Sequence, residues 1–258
     1  MIDLSIVLPT CNRAAQLDLA LRAIAQNTRC SFEIVVVDGA SSDGTRDVLV
    51  EAASRLGPRL RMIREPRREG FVRAVNKGFR AAVGDNMTWL NDDARPLPGA
   101  LDIALNNLDS CDDSVGFVAM FHRWNSQKNV AYQATHHDQH YRLCHVRGTL
   151  YANFPVGRRK TYESLGYFDE RYYVCGADPD LSLKAWHAGL SILPAHGAFI
   201  DHDEIDDDRR AVDSQRGKED NRLLFSKWNL PPINPSRNEF DPSNPCTVMG
   251  LRSGNAAA

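Results

Sequence analysis

The sequence predicts an α/β protein with a mostly parallel central sheet flanked by helices. Three observations carry this. Apolar, β-branched runs alternate with helix-period stretches through about the first ninety residues, as in a parallel sheet with crossover helices. The run EIVVV at 33–37 is continuous enough in apolar character for a strand covered on both faces. Polar residues stand where the runs end: Thr10 after the first, Asp38 after the second, and Asn91, Asp92 and Asp93 after the fourth. Open sheets of this class bind ligands beyond the carboxyl ends of their strands.

The first strand is read over 2–8, closed by Pro9 and Thr10. From 14 to 26, Leu17, Leu21 and Ile24 recur at helical spacing. After the strand at 33–37, the loop DGASSDG leads into a helix with Asp43 as its cap, Val48, Leu49, Ala52 and Leu56 on one face, and Gly57-Pro58 as its stop. LRMI at 60–63 reads as a third strand. A helix over 70–83 carries Val72, Val75, Phe79 and Ala82 on one side, and NMTWL at 86–90 is the fourth strand.

The second half is less regular. A helix is expected at 98–108 and a strand at 114–120, followed by loops and short antiparallel strands over the polar, His-rich stretch 122–147. Helices are expected at 158–165, 179–188 and 213–228, with a strand at 197–201. The domain reading is one unit over 1–228, in two halves, donor-side 1–97 and acceptor-side 98–228, with a smaller mixed subregion in the second. A Pro/Asn-rich extended tail (229–258) follows.

The bulk numbers narrow the function classes. The chain has 258 residues, 43% hydrophobic and 25% charged, which suits a soluble globular protein with a real core. A net charge of −2 gives no electrostatic case for nucleic acid. Asp3 follows Met1 within a strand-like run, so no leader is expected, and no apolar run reaches the length of a membrane span. Six scattered cysteines without a CxxC pair read as reduced thiols in a cytoplasmic protein; peripheral contact with the inner membrane face stays open.

No Walker A run and no GxGxxG follows the first strand, which ends in PTCNR. A nucleotide bound here needs another phosphate partner. A divalent cation, Mg²⁺ or Mn²⁺, held by carboxylates supplies one, and Asp92 and Asp93 offer the oxygens. The alternative for the pair is a solvated turn or a helix cap.

The ordered motifs PTCNR, EIVVVDGASSDGT, GFVRAVNKGF, GDNMTWLNDDARPLPG, LGYFDERYYVCGADPDLSLKAWHAG and FIDH resemble those of family 2 glycosyltransferases of the Rossmann-like GT-A fold. The likeness runs from residue 4 to about 202, with a weaker echo to Lys227-Trp228. It implies a metal-dependent, inverting transfer of sugar from a UDP-, GDP- or dTDP-linked donor to a hydroxyl acceptor: a glycan, a lipid-linked molecule or a small molecule. It places Pro9, Thr10, Asn12, Arg13 and Asp38 on the donor side, with Thr10 and Asp38 at the nucleoside. Gly70, Arg73 and Asn76 go near the base and diphosphate, and Asn91 and Asp92 in the DxD position. Asp93 matches the metal-coordinating aspartate, and His202 a histidine that reaches the metal or diphosphate. Asp178 matches the catalytic carboxylate, whose job is to take the acceptor proton.

Two positions depart from the family pattern. Ala177 stands where relatives carry Glu, and Gly39 where many carry a second acid. Without the resemblance, Asp178-Pro179 reads as a helix start, Asp at N-cap and Pro at N1. Asp180 reads as structural or acceptor-binding and not as the base. His136, His137, His140 and His145 are spaced for a zinc site, but a polar acceptor-side loop is the better reading. Glu204 to Asp208 reads as a solvated loop or a lid over the donor. Phe168, Tyr172, Tyr173 and Trp186 read mostly as core. Two other functions stay in play. A binding module for a nucleotide sugar or glycan draws on Ala177. A nucleotidyltransferase draws on the shared architecture.

Overall fold

The computed structural model describes residues 2–123, 129–203, 205 and 207–230. Glu204, Asp206 and most of the expected tail lie outside these residues. Four parallel strands come first: β1 (Leu4–Thr10), β2 (Phe32–Asp38), β3 (Leu60–Arg64) and β4 (Asn86–Trp89). They alternate with α1 (Ala14–Asn27), α2 (Thr45–Leu56) and α3 (Phe71–Ala81). Every residue of β1 and β2 is buried, which is why their central residues, Ile6–Leu8 and Ile34–Val37, are apolar in succession and do not alternate.

Next come β5 (Ala94–Pro96), α4 (Ala100–Asp109), β6 (Val115–Arg123), β7 (Val130–His136), β8 (Gln139–Val146), β9 (Thr149–Leu150) and β10 (Pro155–Arg158). The chain continues through α5 (Arg159–Ser164), α6 (Ala177–His187), β11 (Ser191–His202) and α7 (Asp208–Lys227). The strand order is β3-β2-β1-β4-β10-β6-β11-β5. Antiparallel β10 joins β4 to β6, so both halves of the chain share one sheet. The His-rich stretch forms the antiparallel pair β7–β8, as expected for short strands there.

Several boundaries differ from expectation, each for a local reason. β1 runs on through Pro9, because β4 stops pairing with it at Val7↔Trp89 while β2 continues to Thr10↔Asp38. Val7 O accepts from Leu90 N on the β4 side, and strand alternation turns the nitrogen of Pro9 to that same side. The missing N–H costs no ladder bond there. Asp43 sits one residue before the α2 cap position. Its carboxylate accepts from Thr45 N (3.0 Å) and from Ala14 N (3.0 Å), tying the starts of α1 and α2 together. β11 begins six residues before the expected strand, at Ser191.

Close packing of α3 on β1 depends on one glycine. A Cβ on Gly78 would lie 2.3 Å from Val7 Cγ1. Helix propensity favours alanine there by about 1 kcal/mol, and the clash opposes it.

The C-terminal end of α7 is keyed into the core by Asp180, which is 0% exposed. Asp180 Oδ1 accepts from Tyr172 Oη (3.2 Å) and Trp228 Nε1 (2.7 Å), and pairs with Lys227 Nζ (2.7 Å). These contacts serve the packing of α7, the structural one of its two sequence readings. Asp180→Ala strips the buried Tyr172 hydroxyl and the half-buried Trp228 N–H of their acceptor and removes one of the two carboxylates paired with Lys227. Chemical denaturation is expected to show a loss of about 3–5 kcal/mol, in the range for breaking a buried ion pair from one side.

Candidate functional site

The carboxyl ends of β1 and β4 open onto a cleft of about 250 Å³. Its floor and one wall are Pro9, Thr10, Cys11, Arg13, Asn91, Asp92, Asp93 and His202. Gly39, Glu65, Arg68, Gly70, Phe71 and Ala74 form a second wall. Val174, Cys175, Asp213 and Ser214 close it from the second half of the chain.

The two adjacent carboxylates are both buried, Asp92 at 2% and Asp93 at 4% exposure. Arg13 holds both: Nη1 lies 3.3 Å from Asp92 Oδ1 and 2.6 Å from Asp93 Oδ2. Thr10 Oγ1 donates to Asp92 Oδ2 at 2.9 Å. The same guanidinium reaches the segment after β11, with Nε 2.8 Å from Asp207 Oδ2 and Nη2 3.2 Å from Ile205 O. Burial works against the Arg13 charge, yet Asp207, Asp92 and Asp93 raise its pKa further. Burial pushes the Asp93 carboxyl up, but contacts with His202 and Arg13 prevail and hold it well below the usual carboxylate range.

The fit to a divalent cation rests on Asp93 and His202. Asp93 Oδ1 faces His202 Nε2 at 3.2 Å. Asn91 Nδ2 also lies 3.3 Å from that Nε2. Protonated, Nε2 pairs with the carboxylate; without its proton it stands beside Asp93 Oδ1 as a second ligand atom for a cation. Among the described residues no group of three or more His, Cys, Asp or Glu is gathered for a metal. A cation here would have Asp93 and His202 as its protein ligands and would need its other oxygens from outside the protein. His122 lies behind, its ring 6.4 Å from that of His202; burial and that neighbour push its pKa down to about 3, so it stays neutral.

Other sequence-derived candidates do different work. Asn12, in a left-handed conformation (φ 53°), donates its N–H to Ser41 Oγ and accepts from Ser42 N. It pins the loop after β2. Asp38 accepts from Ser41 N (2.9 Å) and Arg64 Nη1 (2.6 Å). Asn76 is fully buried, and its amide pairs with Phe168 N and O and donates to Glu170. Arg73 is half exposed, 3.9 Å from Glu170. None of these four lines the cleft, whereas Gly70 does. Gly70 has φ 99°, and a Cβ on it would meet the Tyr173 ring at 2.7 Å.

Asp178 lies three residues beyond Cys175 of the cleft wall and is not itself among the residues that line the cleft. The N-cap of α6 is Gly176, with Ala177 at N1, Asp178 at N2 and Pro179 at N3, so Asp178 is not the cap. It accepts from Asn153 Nδ2 at 3.3 Å. Burial pushes its pKa up to about 7, although the side chain keeps some open surface. Ala177 is buried at 1% exposure.

Glu65, Arg68, Asn153, Asp213 and Ser214 were not anticipated. Arg68 Nη2 bonds both oxygens of Asp213 at 2.7 Å. The only sequence signal for this was the basic run PRREG just ahead of Gly70.

The sequence model for glycosyl transferase family 2 matches residues 5–166. The chain belongs to that family. Its fold is GT-A, as the solved structures it resembles show. The mannosyltransferase PcManGT of Pyrobaculum calidifontis, solved with GDP-Man and Mn²⁺, superposes with a TM-score of 0.65 at 23% identity, over 87% of this chain and 63% of that one. TarS of S. aureus with UDP-GlcNAc gives 0.65 at 17% identity, over 91% and 69%. Among curated proteins, a PGL/p-HBAD biosynthesis glycosyltransferase of Mycobacterium bovis is 43% identical over 86 residues, 33% of this chain and 32% of its own length. An uncharacterised Mycobacterium tuberculosis protein is 36% identical over 115 residues, 45% of this chain and 34% of its own. The aligned stretch is thus about a third of each of these relatives. Among the described residues no helix is long and apolar enough to cross a membrane.

Arg13→Met leaves two buried carboxylates without their counterion. Urea unfolding is expected to show a loss of about 3–5 kcal/mol at neutral pH.

Proposed function

We propose that this chain is a metal-dependent, inverting glycosyltransferase that moves a sugar from a nucleotide-diphosphate donor to a hydroxyl acceptor. The main support is a pair of carboxylates in opposite states. Asp93 is held ionised beside Arg13 and His202, as a cation ligand requires. Asp178 is pushed up to about 7, as a base working near neutrality requires.

In this reading Asp178 accepts the proton of the acceptor hydroxyl as that oxygen bonds to the anomeric carbon. The bond from that carbon to the diphosphate oxygen breaks, and its electron pair leaves with the nucleoside diphosphate. Asn153 orients the Asp178 carboxylate. Thr10 and Arg13 keep Asp92 and Asp93 fixed while charge arrives and departs. Asp93 and His202 would hold a divalent cation, which would supply Lewis-acid stabilisation of the leaving diphosphate. Mn²⁺ in PcManGT, and the nucleotide sugars in that structure and in TarS, support both the cation and the donor class.

The first test is thermal stability against UDP, GDP, dTDP and CDP, each with and without Mn²⁺. One nucleotide is expected to raise the melting temperature, and only with metal. Nucleotide binding with no turnover on any acceptor would favour the binding module instead. Release of pyrophosphate in place of a nucleoside diphosphate would point to a nucleotidyltransferase.

Asp178→Asn is expected to lower kcat by about 10²–10⁴, and wild-type activity to fall as pH drops through about 7. Stability runs the other way. A carboxyl whose folded pKa lies above its unfolded value of 3.8 gives full stability below 3.8 and loses it up to about 7. Asp178→Asn is therefore expected to melt close to wild type at low pH and above it at pH 8, by about 2–4 °C per kcal/mol recovered. A variant that melts below wild type at pH 8 would mean that Asp178 is a structural anion.

A further inference from the structure

The segment Tyr173–Cys175 joins the cleft to α6, and its three successive backbone amides all point at one side chain. Asp220 of α7 accepts from Tyr173 N at 2.9 Å through Oδ1, and from Val174 N at 2.8 Å and Cys175 N at 2.9 Å through Oδ2. Asp220 is 4% exposed. Consecutive amides converging in this way make an anion-binding concavity. Here the chain's own carboxylate fills it, so this concavity is not where the donor diphosphate binds.

The segment is wedged from both sides. Val72 N donates to Tyr173 O at 3.2 Å, and a Cβ on Gly70 would come within 2.8 Å of that oxygen. On the α7 side, a Cβ on Gly217 would lie 2.9 Å from Cys175 Sγ. Two glycines thus let α3 and α7 close on three residues, and Asp220 fixes where those residues sit. Val174 and Cys175 face the cleft, and Asp178 lies three residues beyond Cys175.

We propose that Asp220 is a positioning residue for the reaction. By holding three consecutive amides it sets both the cleft wall at Val174–Cys175 and the point from which α6 presents Asp178. This rests on the glycosyltransferase reading above for its kinetic consequence, and on geometry alone for the clamp. A displacement of about 1 Å at a reacting group can cost about 100-fold in rate.

The test compares wild type with Asp220→Asn, which keeps one acceptor oxygen in place of two, and Asp220→Ala. Three readouts are taken on folded protein: amide hydrogen exchange at 173–175, nucleotide affinity with Mn²⁺ by calorimetry, and kcat with its pH profile. The expected result for Asp220→Asn is faster exchange at those amides, weaker nucleotide binding, a 10- to 100-fold lower kcat and a displaced limb near pH 7. The Asp220→Ala protein is expected to show larger effects in the same directions; if it fails to fold, Asp220→Asn alone decides. Unchanged exchange would overturn the clamp. Faster exchange with affinity, kcat and pH limb unchanged would reduce Asp220 to a structural role and overturn the proposal. If wild type transfers no sugar, the glycosyltransferase reading fails separately. Affinity and exchange then decide: both altered supports the positioning role, and either unchanged overturns it.

Discussion

The site depends on one guanidinium between two buried carboxylates. Asp92 and Asp93 lie buried in the turn between β4 and β5, where an isolated ionised carboxylate is very costly. Arg13 comes from the turn after β1, and β1 and β4 are parallel neighbours, so their carboxyl ends lie side by side. Asn12 makes the turn by taking a positive φ and anchoring its amide on Ser41 and Ser42. That delivers Arg13 over Asp93, and its remaining N–H groups capture Ile205 and Asp207 beyond β11. One side chain thereby joins the ends of three elements far apart in sequence. Because Arg13 takes Asp93 Oδ2, the other oxygen is left turned to His202. The arrangement needs Arg and not Lys, since several acceptors must be met in one plane.

The second carboxylate site is set by the opposite balance. A carboxylate in the first turn of a helix is ordinarily helped to ionise by the helix terminus. At Asp178 burial outweighs that help, because the contact there is the neutral Asn153 amide and not a cation. Ala177 matters to the same balance. A second carboxylate at that position would add like-charge repulsion and a shared proton. With alanine there, that coupling is absent, and the state of Asp178 is governed by burial.

How much was legible follows from how each feature is encoded. The β1–α1–β2–α2–β3–α3–β4 order was plain because buried parallel strands and amphipathic helices write their period directly into apolar residues. Thr10, Arg13, Asn91, Asp92, Asp93 and His202, to which strand ends and motif order point, line one cleft. β5 and β10 were not seen. They have three and four residues, each includes a proline, and their register comes only from the partners that flank them. Asn76 was placed near the donor by motif position, but a buried amide satisfied by Phe168 N and O belongs to the scaffold. Asp220 gave no signal, since an acid within a charged helix reads as solvated surface until its three amide partners, some 45 residues away, are in view.

α7 shows why such residues escape a pattern search. Its packed face includes Asp213, Gly217, Asp220, Leu224 and Lys227, one residue per turn, with a single large apolar side chain among them. An apolar stripe would bury more surface but would tolerate a slip along the groove. Here each polar key has its own set of partners: Asp213 takes Arg68, Asp220 takes the three amides, and Lys227 pairs with Asp169 and Asp180. A shift of one turn would leave every one of these groups buried or half-buried without its partner, at a cost of about 1–3 kcal/mol each. Polar keys thus fix the register of α7 more sharply than apolar packing would. Register is what the site needs from this helix, because Asp213 and Ser214 belong to the cleft while Asp220 holds the wall beside it.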